Sequence, residues 1–364
     1  MRRRDFFSAT ATAAALSAAQ LGTARGAPTP KPVKFVLGCQ SGPTTPQRLQ
    51  FFKRHSVEHI CGYPEGFREQ RRYTVEELLR LRELCEKHGV SLDMVAAPFL
   101  TSSHIDREKR GAIMLAQDPE RDRDIEDIQE SIRACAKAGI PAMKYNMSIL
   151  GVLRTKSTPG RGGSSYSTWR LREAKPKKPL TRAGVVNADQ FWERITYFLD
   201  RVIPVANEYK VRMACHPHDP GVPPEGYQGV QRVLGTVEGL KKFITIQESP
   251  YHGLNFCQGT VAEMLQDPGR EIFDVIRYFG ERGKIFNVHL RNIRGRRDDF
   301  QEVYPDEGDV DMVRAAILYR DLGYQYMLMP DHVPRHPDDP GGSQAFAFAY
   351  GHIRGIIQAL AYIP

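Results

Sequence analysis

From residue 33 onward, short runs of apolar and β-forming residues alternate with stretches in which apolar side chains recur every three or four positions. The runs predict strands at 33–39, 57–63, 91–97, 142–149, 211–216, 252–257, 284–290 and 325–331. The stretches between and after them predict helices at 45–55, 74–88, 119–138, 188–209, 230–243, 270–282, 309–322 and 344–360. Leu78, Leu81, Leu84 and Cys85 show the helical spacing. "EKHGV", "AKAGI", "GERGK" and "RDLGY" place a glycine where a helix must stop before the next strand. Eight strands of parallel-sheet composition, each followed by a helix, are the pattern of a (β/α)8 barrel. A doubly wound open sheet is the alternative, but no glycine-rich dinucleotide fingerprint follows any strand.

The polar residues that interrupt these strands fall near their carboxyl ends. The fifth strand ends in "MACHPHDP", with His216 followed by His218 and Asp219. The sixth ends in "LNFCQG" with Cys257, the seventh in "VHLRN" with His289 and Arg291, and the eighth in "MPDH" with Asp331 and His332. In a barrel those ends converge on one face. A single strand histidine is ordinarily a hydrogen-bonded core residue, and a single cysteine ordinary packing. Imidazole, thiol and carboxylate donors on four consecutive strands point instead to one divalent metal, held by His216, Cys257, His289 and Asp331. A mixed N/S/O set suits manganese or iron, or their first-row neighbours, better than calcium or magnesium.

One segment breaks the rhythm. Residues 154–182 carry nine Lys/Arg against one acid and are rich in Gly, Ser and Pro. This reads as a long basic loop after the fourth strand, an insertion over 154–186, either a lid over an anionic substrate or a solvated excursion. At the amino terminus, "MRRRDFF" precedes a weakly apolar Ala/Ser/Thr stretch and a small-residue exit. Residues 1–27 therefore read as a twin-arginine-type signal peptide, with export to the periplasm expected, and residues 28–364 as one barrel domain.

The formal charge is +8 over 364 residues; Arg2, Arg3, Arg4 and Arg25 against Asp5 account for +3 of it, leaving +5. That mild excess suits a small anionic ligand and gives no ground for nucleic-acid binding. Six cysteines without paired spacing do not form a disulfide framework. No apolar run is long enough to span a membrane as a helix.

"YNMSILGVLRT", "MACHPHDPGVPP", "GLNFCQG", "VHLRNI", "EGDVDMV" and "MPDH", in that order, resemble the mannonate dehydratase family of the xylose-isomerase-like TIM-barrel superfamily. His218, where the family reads Asp, and Val333-Pro334, where it reads Gly-His, mark a diverged member. The resemblance implies a metal-dependent lyase that removes water from an aldonate to give a 2-keto-3-deoxy acid. It implies His216, Cys257, His289 and Asp331 as metal ligands and His332, Arg291 and Asp331 as catalytic residues. Tyr145, Asn146, Arg291, Asn292 and His218 are then the expected substrate contacts. A metal-dependent sugar isomerase or epimerase on the same barrel is the alternative activity, and an exported carbohydrate-binding protein with a vestigial metal site the non-enzymatic one. The expected partners are a small anionic sugar-derived substrate and further copies of the chain.

Overall fold

The computed structural model describes residues 30–40, 42–68, 70–174 and 178–364, so the expected leader at 1–27 lies outside the described residues. Eight strands close into a parallel barrel: β1 (Val36–Gln40), β2 (His59–Gly62), β3 (Ser91–Ala96), β4 (Ala142–Asn146), β8 (Arg212–His216), β9 (His252–Cys257), β10 (Ile285–His289) and β13 (Met327–Met329). They are hydrogen-bonded in that order and β13 returns to β1. Around them lie α1 (Pro46–Arg54), α2 (Val75–Lys87), α3 (Ala112–Leu115), α4 (Glu120–Lys137), α5 (Ala188–Tyr209), α6 (Val237–Phe243), α7 (Gln258–Ala262), α8 (Pro268–Glu281), α9 (Met312–Asp321) and α10 (Ser343–Leu360). The barrel expectation holds, and each predicted strand coincides with an observed one.

Local chemistry sets the helix ends. Thr74 and Glu77 form a reciprocal capping box on α2, and Asn187 and Gln190 form one on α5. Gly89 and Gly139 stop α2 and α4 at φ of 66° and 72°, a backbone region that side chains with a Cβ avoid.

The barrel interior is a small apolar layer of Cys61, Met94, Ala142, Ala214, Phe286, Met327 and Met329. The larger core lies between barrel and helices. In β10 the register slips between Ile285 and Asn287. Phe286 belongs to the interior layer and Val288 to the outer core, and the bulge turns Asn287 and His289 inward above Phe286.

The basic segment is not one irregular loop. Its described part forms β5 (Thr158–Pro159), β6 (Ser165–Tyr166) and β7 (Thr168–Arg170). β7 pairs antiparallel with β12 (Asp299–Glu302), which pairs with β11 (Ile293–Arg296). Tyr166 and Trp169 are buried beneath this outer sheet. Its arginines are spent on protein acids: Arg161 binds Asp306, and Arg170 binds Asp299 and Glu173.

Candidate metal centre and active site

Above the apolar layer the barrel mouth opens into a cavity of about 850 Å³. Asp331 and His332 lie on its floor, and Arg154, Ser165, Ser167, Glu302, Arg335 and Phe346 are among its walls. Beside Asp331, one ligand atom each from His216, Cys257, His289 and Asp331 lie within 4.8 Å of one another. That is roughly the spread allowed by an ion 2.0–2.3 Å from each donor. Strand register makes the meeting possible, since His289 stands directly opposite Cys257 and Asn146 opposite His216.

The donors are oriented from behind. His216 Nδ1 hydrogen-bonds the Pro217 carbonyl at 2.7 Å, which leaves Nε2 with a free lone pair. Burial pulls His216 below its usual pKa against the pull of Asp331, so the ring is in the neutral, ligating form. Cys257 Sγ accepts from Thr260 N at 3.4 Å and Thr260 Oγ1 at 3.1 Å. Burial alone would raise Asp331, but His332, His289 and Arg291 hold it well below the usual carboxylate range. His289 Nδ1 is buried without a hydrogen-bond partner, 3.4 Å from Asp331 Oδ1. An orphaned ring nitrogen facing a carboxylate and a thiol is what a cation site leaves behind, so these residues fit a divalent metal.

His289 Nε2 meets the side-chain amide of Asn255 at 3.2 Å, and Asn255 meets Asn287 at 2.6 Å. With both amides turned so that oxygens face the incoming donors, Nε2–H donates to Asn255 and the Nδ1 lone pair faces the cluster. Replacing Asn255 by Ala is expected to weaken metal affinity about 10- to 100-fold. A titration with Mn²⁺ that shows less than a threefold change would remove Asn255 from this role.

A second group, Asp219, Glu302 and His332, also draws three possible ligand atoms together. Here the cations are already present. Arg154 binds Asp219 at 2.6 Å and also Glu302, while Arg291 binds Asp219 at 3.1 Å, Glu263 at 2.9 Å and also Glu302. Burial and Asp219 push Glu263 well above its usual value despite both arginines, making it the uncharged member. Glu302 and Asp219 are held below theirs by the guanidiniums against the effect of burial. Two guanidiniums thus face two carboxylates. Gly259 permits this packing, because a Cβ there would come within 2.4 Å of Arg291 Nε.

The expected substrate contacts fare unevenly. Arg291 is buried and bound on all sides by carboxylates, so it is not free to clamp a ligand. Tyr145 points out of the barrel, its ring 5.5 Å from that of Phe198. Asn292 holds the loop before α9, donating to the carbonyls of Pro305 and Val310 and accepting from Val310 N. His218 donates through Nε2 to the Met147 carbonyl and accepts at Nδ1 from Leu234 N; burial lowers it to about 3. These four are structural. Asn146 remains beside His216, half-buried and facing the mouth. His332 is the open group, with 39% of its side chain exposed, its Nδ1 2.9 Å from Glu302 and its Nε2 3.7 Å from Asp331. Burial disfavours its charged form, but Asp331 and Glu302 overcome this and raise it to about 10. The sequence reading missed Gln40, Lys144, Arg154, Asp219, Glu263 and Glu302. Single charges set against apolar neighbours at 144, 154, 263 and 302 were the available signal.

The closed parallel barrel with a mixed N/S/O donor cluster at its mouth is a (β/α)8 barrel with a candidate divalent-metal site, a fold shared with the solved xylose isomerase domain protein of Planctomyces limnophilus (TM-score 0.58, 13% identity, covering 90% of this chain and 99% of that one). The model of the D-mannonate dehydratase (UxuA) family matches residues 167–363, and the chain belongs to that family. Mannonate dehydratase of Thermotoga maritima is 29% identical over 292 residues, covering 71% of this chain and 77% of its own. Mannonate dehydratase 2 of Halalkalibacterium halodurans is 28% identical over 284 residues, covering 71% and 78%. The crystal structure of mannonate dehydratase from Streptococcus suis superposes with a TM-score of 0.76 at 23% identity, covering 90% of this chain and 94% of that one.

Proposed function

We propose that this protein is a metal-dependent hydro-lyase of sugar acids, with D-mannonate as the substrate to try first. The observation that carries the reading is the convergence of four donors from β8, β9, β10 and the end of β13 beside the cavity. The donor chemistry favours manganese or iron in that place. A divalent ion held by His216, Cys257, His289 and Asp331 would supply the positive charge that stabilises the negative charge developing at C2.

The elimination takes a hydrogen from C2 and the hydroxyl from C3, which leave as water. Glu302 holds His332 by Nδ1, which turns its Nε2 edge toward Asp331. The protonated ring gives its own Nε2 proton to the departing C3 hydroxyl, and the C2 proton passes to water in the cavity as the C2–H electrons form the C2=C3 bond. The resulting enol tautomerises to the 2-keto acid while water reprotonates His332. Asn146 orients a substrate hydroxyl from the opposite side. The cavity accommodates a six-carbon acid, and the β5–β7 segment covers it on one side, limiting water.

Mn²⁺-loaded protein incubated with D-mannonate and its C2 and C3 epimers is expected to release a 2-keto-3-deoxy acid. Silence across that panel would sink the reading, and interconversion without loss of water would replace it with an isomerase. Replacing His332 by Ala is expected to lower turnover about 10²- to 10⁴-fold with metal content unchanged. An active His332→Ala enzyme would move the proton donor elsewhere. The periplasmic location is part of the same proposal, because a twin-arginine route carries folded, metal-loaded protein; a transport-specific reporter fused to residues 1–27 tests it.

A further inference from the structure

Lys144 lies on β4 with its side chain turned into the barrel, on the face shared by Ala142 and Asn146. Interior positions of such barrels are ordinarily apolar, and a half-buried ammonium there is costly without a counter-charge. Among the described residues Lys144 makes no salt bridge. Its Nζ donates to Gln40 Oε1 at 2.9 Å and stands 5.4 Å from the centre of the Tyr63 ring. The Gln40 amide in turn donates to Asp331 Oδ1 at 3.3 Å. The ammonium is therefore one side chain away from the donor cluster, tethered by neutral partners only.

A charge count makes this residue stand out. A divalent cation is balanced by the Asp331 carboxylate and the Cys257 thiolate that it would bind. Arg154 and Arg291 are balanced by Asp219 and Glu302. Two positive charges remain: the protonated His332, which rests on Glu302 and Asp331, and Lys144, which contacts no carboxylate among the described residues. Resting on the sugar-acid reading above, we propose that Lys144 is the group that receives the carboxylate of the substrate and so makes the site select an acid over the corresponding neutral polyol. Gln40 holds the ammonium in place and couples it to Asp331, and Tyr63 gives it an aromatic face. Arg335 is the competing candidate: it is exposed on the cavity wall and has no ion-pair partner among the described residues, but it stands on the chain that follows β13 and pairs by backbone with Ser165.

The test compares wild type, Lys144→Met, Lys144→Arg and Arg335→Met, all full-length and Mn²⁺-loaded. Binding of D-mannonate and of the neutral probe D-mannitol is measured by calorimetry, and Mn²⁺ affinity by titration. Lys144→Met is expected to weaken D-mannonate binding about 10- to 100-fold, the worth of a charge-assisted contact. D-Mannitol binding and Mn²⁺ affinity should stay within threefold, and Lys144→Arg should recover part of the loss. The proposal is overturned if D-mannonate binding survives in Lys144→Met, if Mn²⁺ affinity falls with it, or if Arg335→Met carries the acid-selective loss instead. If Lys144→Met fails to fold, Lys144→Arg and Arg335→Met still decide between the two cations. Wild-type protein that binds no acid overturns the reading of the site first, and this assignment with it.

Discussion

Asp331→Asn is expected to leave the barrel folded, weaken Mn²⁺ binding more than 100-fold and lower turnover by about 10³ or more. The side chain keeps its shape, so packing is little disturbed. What disappears is the sole carboxylate of the donor set and the charge that faces His289 at 3.4 Å, while an amide oxygen can still accept from Gln40. A metal that supplies several kcal/mol of charge stabilisation accounts for a factor of that size when it is lost. Cys257→Ser and His289→Ala should follow the same order, because each removes one member of the same group of four. Circular dichroism checks the fold, metal analysis after dialysis checks occupancy, and release of the keto-deoxy acid checks turnover. A full equivalent of tightly held Mn²⁺ in Asp331→Asn would mean that the ion sits elsewhere and that the convergence at the barrel mouth has another purpose.

The barrel was readable because each of its eight units repeats the same local signals: a short apolar run, an amphipathic stretch and a capped end. The metal-ligand candidates were readable for a related reason. His216, Cys257, His289 and Asp331 stand at or just past strand ends, and closure of a parallel sheet brings those ends together whatever the side-chain details. What the sequence hid was non-local. β7 and β12 are three and four residues long, and they pair across some 130 positions, with no periodicity to announce it. The bulge in β10 shifts the parity of inward positions within one strand, which no alternation rule anticipates. Tyr145 is a different case. Alternation along β4 puts 142, 144 and 146 on one face and 143 and 145 on the other, so the strand pattern alone favoured Lys144 and Asn146 over Tyr145. Arg291 was misread because a strand-end arginine near a metal looks available; only the fold shows four carboxyl groups already around it, those of Asp219, Glu263, Glu302 and Asp331, with Glu263 and Glu302 coming from segments with no pattern of their own.

That saturation leads to the second large effect. Arg291→Met is expected to destabilise the protein by about 3–5 kcal/mol, since removing one member of a buried ionic group leaves its partners uncompensated. Asp219 and Glu302 would then be left with Arg154 and the His332 edge, in a place with almost no contact with water. The energy at stake is not the strength of any single pair. Buried ion pairs contribute little net stability when complete, because desolvation offsets the attraction; the cost appears when one charge is missing. Glu263→Gln provides the contrast. Burial and Asp219 keep that carboxyl well above its usual pKa, so it is uncharged before it is replaced, and the amide should cost less than about 1 kcal/mol. Urea unfolding of the two variants beside wild type measures both. The difference between them is the diagnostic: equal losses would mean that Glu263 is ionised and that the two guanidiniums face three carboxylates, while a mild Arg291→Met would mean that the mouth of the barrel is held by packing and needs no guanidinium beneath it.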